Sequence, residues 1–451
     1  MHTLRARVLS ALAAVTILAG ITAGGETRAG VFNPDTFTME NGMQVVVVEN
    51  HRSPVVTHMV WYRVGSADEG PGESGIAHFL EHLMFKGTKT RKPGEFSAIV
   101  ARNGGQENAF TSLDYTAYYQ TIAANRLELV MEMEADRMTN LVITDKEVEP
   151  ERLVVLEERR SRTDNNPSAI LSEHLNAALY LNHPYRNPVI GWAHDIQALD
   201  IKRILAFYKR WYAPNNAILV VAGDITMKQL KPLAEKYYGD IPRQPPVTRS
   251  RAKEPPQKAA RRVTLRDRRV RQSVWQRTFM APSQQWGAAA EVYPLQVLAN
   301  ILGGGASSRL YRRLVIDGKL AVSAGAYYRD DDRGPGRFVF HASPRAKISM
   351  DRLEQAVAAE IAEITTTGVS ADEVSRAQER MLAEAVYARD SLSGGARILG
   401  GALASGLTIE DVEAWPERLA AVTPAQIQAA AKAVFVNHRS VTGLLLPETG
   451  E

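Results

Sequence analysis

The 451-residue chain contains no cysteine, which excludes a disulfide framework, a thiolate metal site and a lipid-bearing N-terminal cysteine. Aromatic residues make up only 7% of it, and nowhere does a basic face interleave with stacking aromatics or a reading motif, so no nucleic-acid partner is expected. Long apolar runs are scarce as well. The one near the N-terminus, from Val8 to about Ile21, is diluted by Ser10, Thr16 and Gly20 and falls short of the roughly 20 residues a spanning helix needs. With hydrophobic residues at 45% and charged residues at 23%, the chain is neither a polytopic membrane protein nor a disordered one.

The short apolar run follows Arg5 and Arg7 and leads to Thr27-Arg28-Ala29 before Gly30. This is the layout of a secretory signal peptide over residues 1–29. Its removal would leave a periplasmic protein with no stable membrane anchor. The length after it suits two domains of about 200 residues each. Pro242, Pro245, Pro246, Pro255 and Pro256 mark the boundary between them. Ten basic residues from Arg249 to Arg271 face only Glu254 and Asp267, so that window carries +8 against +4 for the whole chain. The segment is expected to be a solvated linker.

Val45 to Val48 and Val55 to Val64 have the β-branched composition of strands, and Asn108 to Gln120 is expected to be another. Ile76 to Phe85 lacks Gly and Pro and places Ile76, Phe79, Leu80 and Leu83 at helical spacing. Arg126 to Met138 is expected to be a helix, and Thr144-Asp145-Lys146-Glu147 forms a capping box that opens one more, through Arg160, with Pro150 as a possible kink. Beyond the prolines the order recurs: a strand (Ser273 to Met280), a helix (Ala288 to Leu302) and a glycine turn (Gly303 to Gly305). Each half then ends on a strand, Ala217 to Ala222 and Val441 to Leu446. A duplicated α+β unit accounts for this order.

Two of only ten histidines stand in His78-Phe79-Leu80-Glu81-His82. Four apart on a helix, they lie one turn above each other and can reach one cation, with the Glu81 carboxylate beside its open position as general base. Nitrogen ligands with a carboxylate suit Zn2+ before magnesium or calcium. Two histidines leave such a site one ligand short. On the Thr144-capped helix, Glu151, Val155 and Glu158 share a face, while Glu157 points about 100° away. Spacing alone allows either Glu151 or Glu158 as the third ligand, with the other behind it.

At these residues the chain resembles the pitrilysin/insulinase family of inverted-motif zinc peptidases, most closely its short bacterial and mitochondrial-processing-peptidase-like members. The likeness runs through His78-Phe79-Leu80-Glu81-His82, then Asn108-Ala109-Phe110-Thr111, then Glu151 to Glu158. Tyr212-Ala213-Pro214-Asn215-Asn216 and Val221-Ala222-Gly223-Asp224 continue it. The resemblance implies an α+β fold of two homologous α/β-sandwich domains forming a clamshell chamber. Residues 30–241 would be the zinc-binding domain, 242–262 the linker, and 263–451 the homologous domain without metal ligands. It aligns the third ligand of a single zinc ion per chain with Glu158, with 75 residues between it and His82, and an accessory glutamate with Glu151. Asn108 to Thr111 would be the strand edge to which a peptide substrate adds.

One departure stands out. Ser307 to Leu314 matches a segment that leads, in self-sufficient members, to an Arg and a Tyr, and this chain has Val315 and Val322 at those positions. Neither side chain can hydrogen-bond an oxyanion, and the helix near Pro294 to Leu298 carries no metal ligands. The expectation is therefore a zinc endopeptidase that works with a homologous partner subunit supplying the pair, as a heterodimer. Arg312, Arg313 or Tyr327 acting in cis is the alternative to that partner, and a non-catalytic assembly or peptide-binding subunit of the same fold is the alternative function.

Overall fold

The computed structural model describes residues 30–448; the expected signal peptide, residues 1–29, lies outside the described residues. The first sheet contains β1 (Asp35–Thr38), β2 (Gln44–Glu49), β3 (Val55–Tyr62), β4 (Gln106–Thr111), β5 (Thr116–Ala123) and β6 (Ala217–Gly223), in the order β1-β2-β6-β3-β5-β4. The second contains β7 (Arg261–Asp267), β8 (Val274–Ala281), β9 (Ala321–Arg329), β10 (Gly336–Pro344) and β11 (Ser440–Pro447), in the order β7-β11-β8-β10-β9. β2 runs parallel to β6 as β7 does to β11, and the remaining pairs are antiparallel in both sheets. The second sheet thus repeats the first without β1.

Where a single strand was expected from Asn108 to Gln120, the structure has the hairpin β4–β5. Leu113 and Asp114 make the turn between Ser112 and Tyr115, closed by the Ser112 amide donating to the Tyr115 carbonyl at 2.8 Å. Polar turn-forming residues interrupt the β-rich run, and they outweigh its composition. The hairpin makes β4 the outermost strand.

The helices that follow β3 and β5 are α1 (Ile76–Leu83), α2 (Glu95–Arg102), α3 (Leu127–Asn140), α4 (Asp145–Arg159) and α5 (Pro167–Leu179). Ile76, Phe79, Leu80 and Leu83 of α1 are all 1% exposed or less, each contributing about 1.5–3 kcal/mol of burial. Thr144 and Glu147 form the expected capping box of α4, and Pro150 sits inside that helix without ending it. A single wider π turn, Arg160–Asp164, follows.

Two helices are exchanged between the halves. α5 leaves the first half and packs Leu171, Leu175 and Leu179 with Val441 and Leu445 of β11. Reciprocally, the helix Gly394–Ala404 packs Ala396, Leu399 and Leu403 on the outer face of the first sheet, against Val46, Met59, Trp61 and Val220. A Cβ on Gly400 would stand 2.1 Å from Trp61 Nε1, so only glycine permits that approach.

Residues 242–260 form no regular strand or helix and are mostly exposed, but they are pinned at several points. The Arg251 guanidinium bonds Asp68 at 2.9 Å and also pairs with Asp114. Glu254 accepts from the amides of Leu181, Asn182 and His183 at 2.8–3.0 Å. Several basic residues of this window are therefore consumed in fixing the segment to the first half.

Candidate metal centre

α1 is positioned at its N-terminus by backbone contacts that sequence patterning does not reveal. Gly75 has a φ of +90°, and a Cβ there would meet the Ile190 carbonyl at 2.6 Å. The carboxylate of Glu69 accepts from the free amides of Gly75 and Ala77 at 2.9 and 3.0 Å, which satisfies the helix start. Glu69 lies in a Gly/Pro-rich loop with no periodicity to draw attention to it.

So placed, α1 turns His78, Glu81 and His82 towards α4 and β4. His78, His82 and Glu158 each bring one ligand atom to within 4.8 Å of the others. Glu158 Oε2 stands 3.1 Å from His82 Nε2 and 3.6 Å from His78 Nε2. That oxygen is buried and has no hydrogen-bond partner, as has His78 Nδ1. A buried carboxylate oxygen facing two imidazole nitrogens without a hydrogen bond fits a borderline-soft divalent cation held by all three.

The structure separates the two glutamates that spacing left open. Glu151, 6% exposed, lies behind His82 and accepts from its Nδ1 at 2.8 Å, leaving Nε2 for the cluster. Its other oxygen pairs with Lys86. This carboxylate–histidine arrangement fixes ring orientation and raises ligand basicity. Glu157 points away to solvent and pairs with Arg160 at 2.7 Å. Lys86 and Arg162 were not foreseen. The π turn returns Arg162 to Glu158 Oε1 at 2.5 Å, which leaves the second oxygen for the cluster.

Charge is distributed unevenly among these groups. Burial, together with the neighbouring His82, pushes the His78 imidazole down to about 4. Burial alone would lower His82 too, but the Glu151 and Glu158 carboxylates beside its two ring nitrogens raise it to about 9. Burial raises the Glu81 carboxyl above the usual range, opposed by a hydrogen bond from Thr111.

Thr111 Oγ1 donates to Glu81 Oε2, so the end of β4 is tied to the candidate base. The Asn108 side chain is exposed, and its Oδ1 accepts from the Ala109 amide at 2.8 Å. Ala109 packs towards the first core. The Phe110 ring is committed to the opposite face, edge-on to Trp61 at 5.4 Å between centroids. Of the four residues expected along the peptide edge, Phe110 thus presents backbone only.

The second half holds no such cluster among the described residues. Val315 is buried in its core at 7% exposure, and Val322 is exposed on β9. Arg313 is bound by Glu360 and Glu363 at 2.9 and 2.6 Å, whereas Arg312 and Tyr327 are exposed.

Residues 44–192 match the family description "Insulinase (Peptidase family M16)", and residues 198–381 match "Peptidase M16 inactive domain". The chain is 35% identical to zinc protease PqqE of Helicobacter pylori over 72% of its own length and 74% of that protein. It is 33% identical to the "probable mitochondrial-processing peptidase subunit beta" of Schizosaccharomyces pombe, over 46% of this chain and 45% of that one. The crystal structure of a protease from Helicobacter pylori is similar with a TM-score of 0.86 at 30% identity, covering 92% of this chain and 99% of that chain. The inverted His-x-x-Glu-His motif, the repeated α+β fold and these matches agree: the chain belongs to the pitrilysin/insulinase family, peptidase family M16.

Proposed function

We propose that the chain is an exported, periplasmic zinc endopeptidase that cleaves extended peptides or unfolded segments. One zinc ion per chain is held by His78, His82 and Glu158, within residues 30–241. Residues 263–451, reached through the linker 242–262, supply the other wall of the chamber. The observation that carries the reading is the convergence of two imidazole nitrogens and a buried, unbonded carboxylate oxygen beside Glu81. When bound there, zinc supplies Lewis acidity, polarising the scissile carbonyl and acidifying water.

The chain's own residues do the rest. Glu81 accepts the proton of the attacking water and returns it to the leaving amine. Thr111 holds the Glu81 carboxylate through Oε2. Glu151 holds the ring of His82. The outer edge of β4, Asn108 to Thr111, takes the peptide backbone as an added strand and so tolerates varied sequence.

The same reading gives the chain a homologous partner subunit that carries the Arg/Tyr pair. Val315 and Val322 offer no oxyanion donor, and Arg313 is already engaged by two carboxylates. Each missing donor costs about 10² to 10³ in rate. A purely non-catalytic subunit is the second reading, favoured only by that absence. Glu81→Gln and His82→Ala decide between them: Glu81→Gln should retain zinc and lose turnover by about 10² or more, and His82→Ala should lose stoichiometric zinc. Full zinc in His82→Ala, or wild-type turnover in Glu81→Gln, would reject the assignment. Robust hydrolysis by a preparation free of any second polypeptide would reject the partner, while activity only on mixing would support it.

A further inference from the structure

Gly30, the residue that follows the expected signal peptide, is folded against the second half of the chain. The Phe32 amide donates to Glu413 Oε1 at 3.0 Å, and the Asn33 amide to Glu413 Oε2 at 3.2 Å. Glu413 ends the short helix Ile409–Glu413. A Cβ on Gly30 would overlap Glu413 Oε2 and stand 2.8 Å from its Cδ, so the carboxylate fills the space that any other residue's side chain would take. Because N and Cβ are bonded to the same Cα, Oε2 lies within about 4 Å of the Gly30 nitrogen.

The turn that brings Gly30 there is held from within. Gly30 N donates to Asn33 Oδ1 at 2.8 Å, and Asn33 Nδ2 to the Gly30 carbonyl at 3.3 Å. Asn33 itself has a φ of +46°, in the left-handed region that Asn tolerates better than most residues. Phe32 anchors the turn. Its ring packs in the cluster between the outer face of the first sheet and the helix Gly394–Ala404, where a Cβ on Gly395 would stand 3.2 Å from Phe32 Cδ1 and 3.0 Å from Val48 Cγ1. Ile409 and Val412 pack on the same cluster, so the helix that carries Glu413 is fixed by the same surface.

The contacts of Glu413 among the described residues are with backbone amides, and no cation there pairs with it. Nearby charges are committed elsewhere: Asp411 pairs with Arg418 at 2.9 Å, and Arg397 stacks on Tyr119 at 4.4 Å. In the uncut chain the Gly30 nitrogen is a neutral amide whose one hydrogen goes to Asn33. Hydrolysis of the Ala29–Gly30 bond by a signal peptidase adds water, leaving a carboxylate on Ala29 and an ammonium on Gly30. That ammonium has three hydrogens, enough for Asn33 and the Glu413 carboxylate together.

We propose that removal of the signal peptide creates an ion pair between the new α-ammonium of Gly30 and Glu413, which latches the exchanged helix Gly394–Ala404 onto the first half. The inference rests on the export proposed above and adds that processing and docking of the halves are coupled. The uncut chain lacks the latch. Full assembly of the two-half body is therefore favoured only after export.

Titration of the α-amine tests it. The full chain is expressed with its signal peptide and purified, and mass spectrometry identifies its first residue. Trace acetylation between about pH 6 and 10, read on the N-terminal peptide, then gives the pKa of the amine. Beside the carboxylate it should titrate about 0.5–1 unit above its ordinary value of about 7.7–8.0, and Glu413→Gln should return it there. A pair that raises the amine contributes stability below the ordinary pKa and loses it as pH rises through the raised one. A chain with Met-Ala placed ahead of Gly30 has no amine at this position. It should unfold at a lower temperature than the mature chain at about pH 7, with the gap gone near pH 10 and absent in Glu413→Gln. Should Glu413→Gln not fold, the wild-type titration and the extended chain decide. A Gly30 amine that titrates at the ordinary value, or at the same value in Glu413→Gln, overturns the latch and leaves export standing, as does a processed chain that begins at another residue. An unprocessed chain rejects the export reading and the latch with it.

Discussion

Replacing Glu151 with glutamine tests how the metal centre is held in shape. The Glu151 carboxylate is buried, accepts from His82 Nδ1 at 2.8 Å and pairs with Lys86. Burial would raise its carboxyl, but the bonds from His82 and Lys86 outweigh that and hold it below the usual glutamate range. Glutamine keeps the volume and one acceptor oxygen while removing the charge. A hydrogen bond to a charged partner contributes about 1.5–3 kcal/mol, and a neutral one about half as much. The substitution therefore costs about 0.8–1.5 kcal/mol at His82, or roughly 4- to 13-fold in zinc affinity. This overlaps the lower part of the roughly 10- to 100-fold range that follows loss of a group supporting a metal ligand. Competition for zinc with a chromophoric chelator measures it directly on the purified chain. Unchanged zinc affinity with normal turnover would show that Glu151 does not orient His82. Unchanged affinity with turnover abolished would make Glu151 the base instead of Glu81.

Two further substitutions probe neighbouring links. Thr111→Val removes the hydroxyl that donates to Glu81; at about 1.5–3 kcal/mol for a bond to a charged group, hydrolysis should fall roughly 10- to 100-fold at constant zinc content, with Thr111→Ser restoring most of it. Equal rates for Val and Ser would refute the role. Glu254→Gln removes the charge and one of the two oxygens that accept three backbone amides. Burial would raise the Glu254 carboxyl, but those amides hold it below the usual range. Its contribution is therefore present above the unfolded pKa of about 4.3 and lost as pH falls through the lower folded value. Calorimetry should find the variant less stable at pH 7, with the gap closing below about pH 4; a gap independent of pH would reject the account.

The candidate metal centre was largely legible because its chemistry is local. His78 and His82 lie four apart on one helix, and an apolar stripe of Ile76, Phe79, Leu80 and Leu83 fixes which way that helix faces. Glu158 could be placed on the right face of α4 by periodicity, but its choice over Glu151 depended on where α4 sits against α1, which is tertiary. The hairpin at Ser112 to Tyr115 was lost inside a β-rich run because side-chain composition hides a two-residue reversal. Glu69 and Arg162 were invisible for the same reason as Lys86: each acts through one long-range contact or one unusual turn, and no pattern repeats. Arg249 and Arg251 read as excess charge only because their partners Asp68 and Asp114 are far away in sequence.

The exchanged helices make a further demand on how the chamber holds together. If the halves were joined by residues 242–260 alone, cutting that segment would release them. α5, however, buries Leu171, Leu175 and Leu179 against the second sheet, and Gly394–Ala404 buries Leu399 and Leu403 against the first; all five are 5% exposed or less. At about 1.5–3 kcal/mol per buried leucine, they contribute roughly 8–15 kcal/mol of gross attraction. That is of the same order as the 4–15 kcal/mol cost of bringing two bodies together. Tyr180, Tyr185 and Trp61, packed alongside, tip the balance towards association. A protease site inserted between the exposed residues Ala252 and Lys253, then cut in the folded protein, should leave two fragments that co-elute on gel filtration and separate only in denaturant. Fragments that part in native buffer would show that the exchanged helices do not hold the halves. Fragments that stay together place any opening of the chamber elsewhere than the linker, in the short segments that lead into each exchanged helix: Arg160 to Asn166 before α5, and Ser391 to Ser393 before Gly394–Ala404.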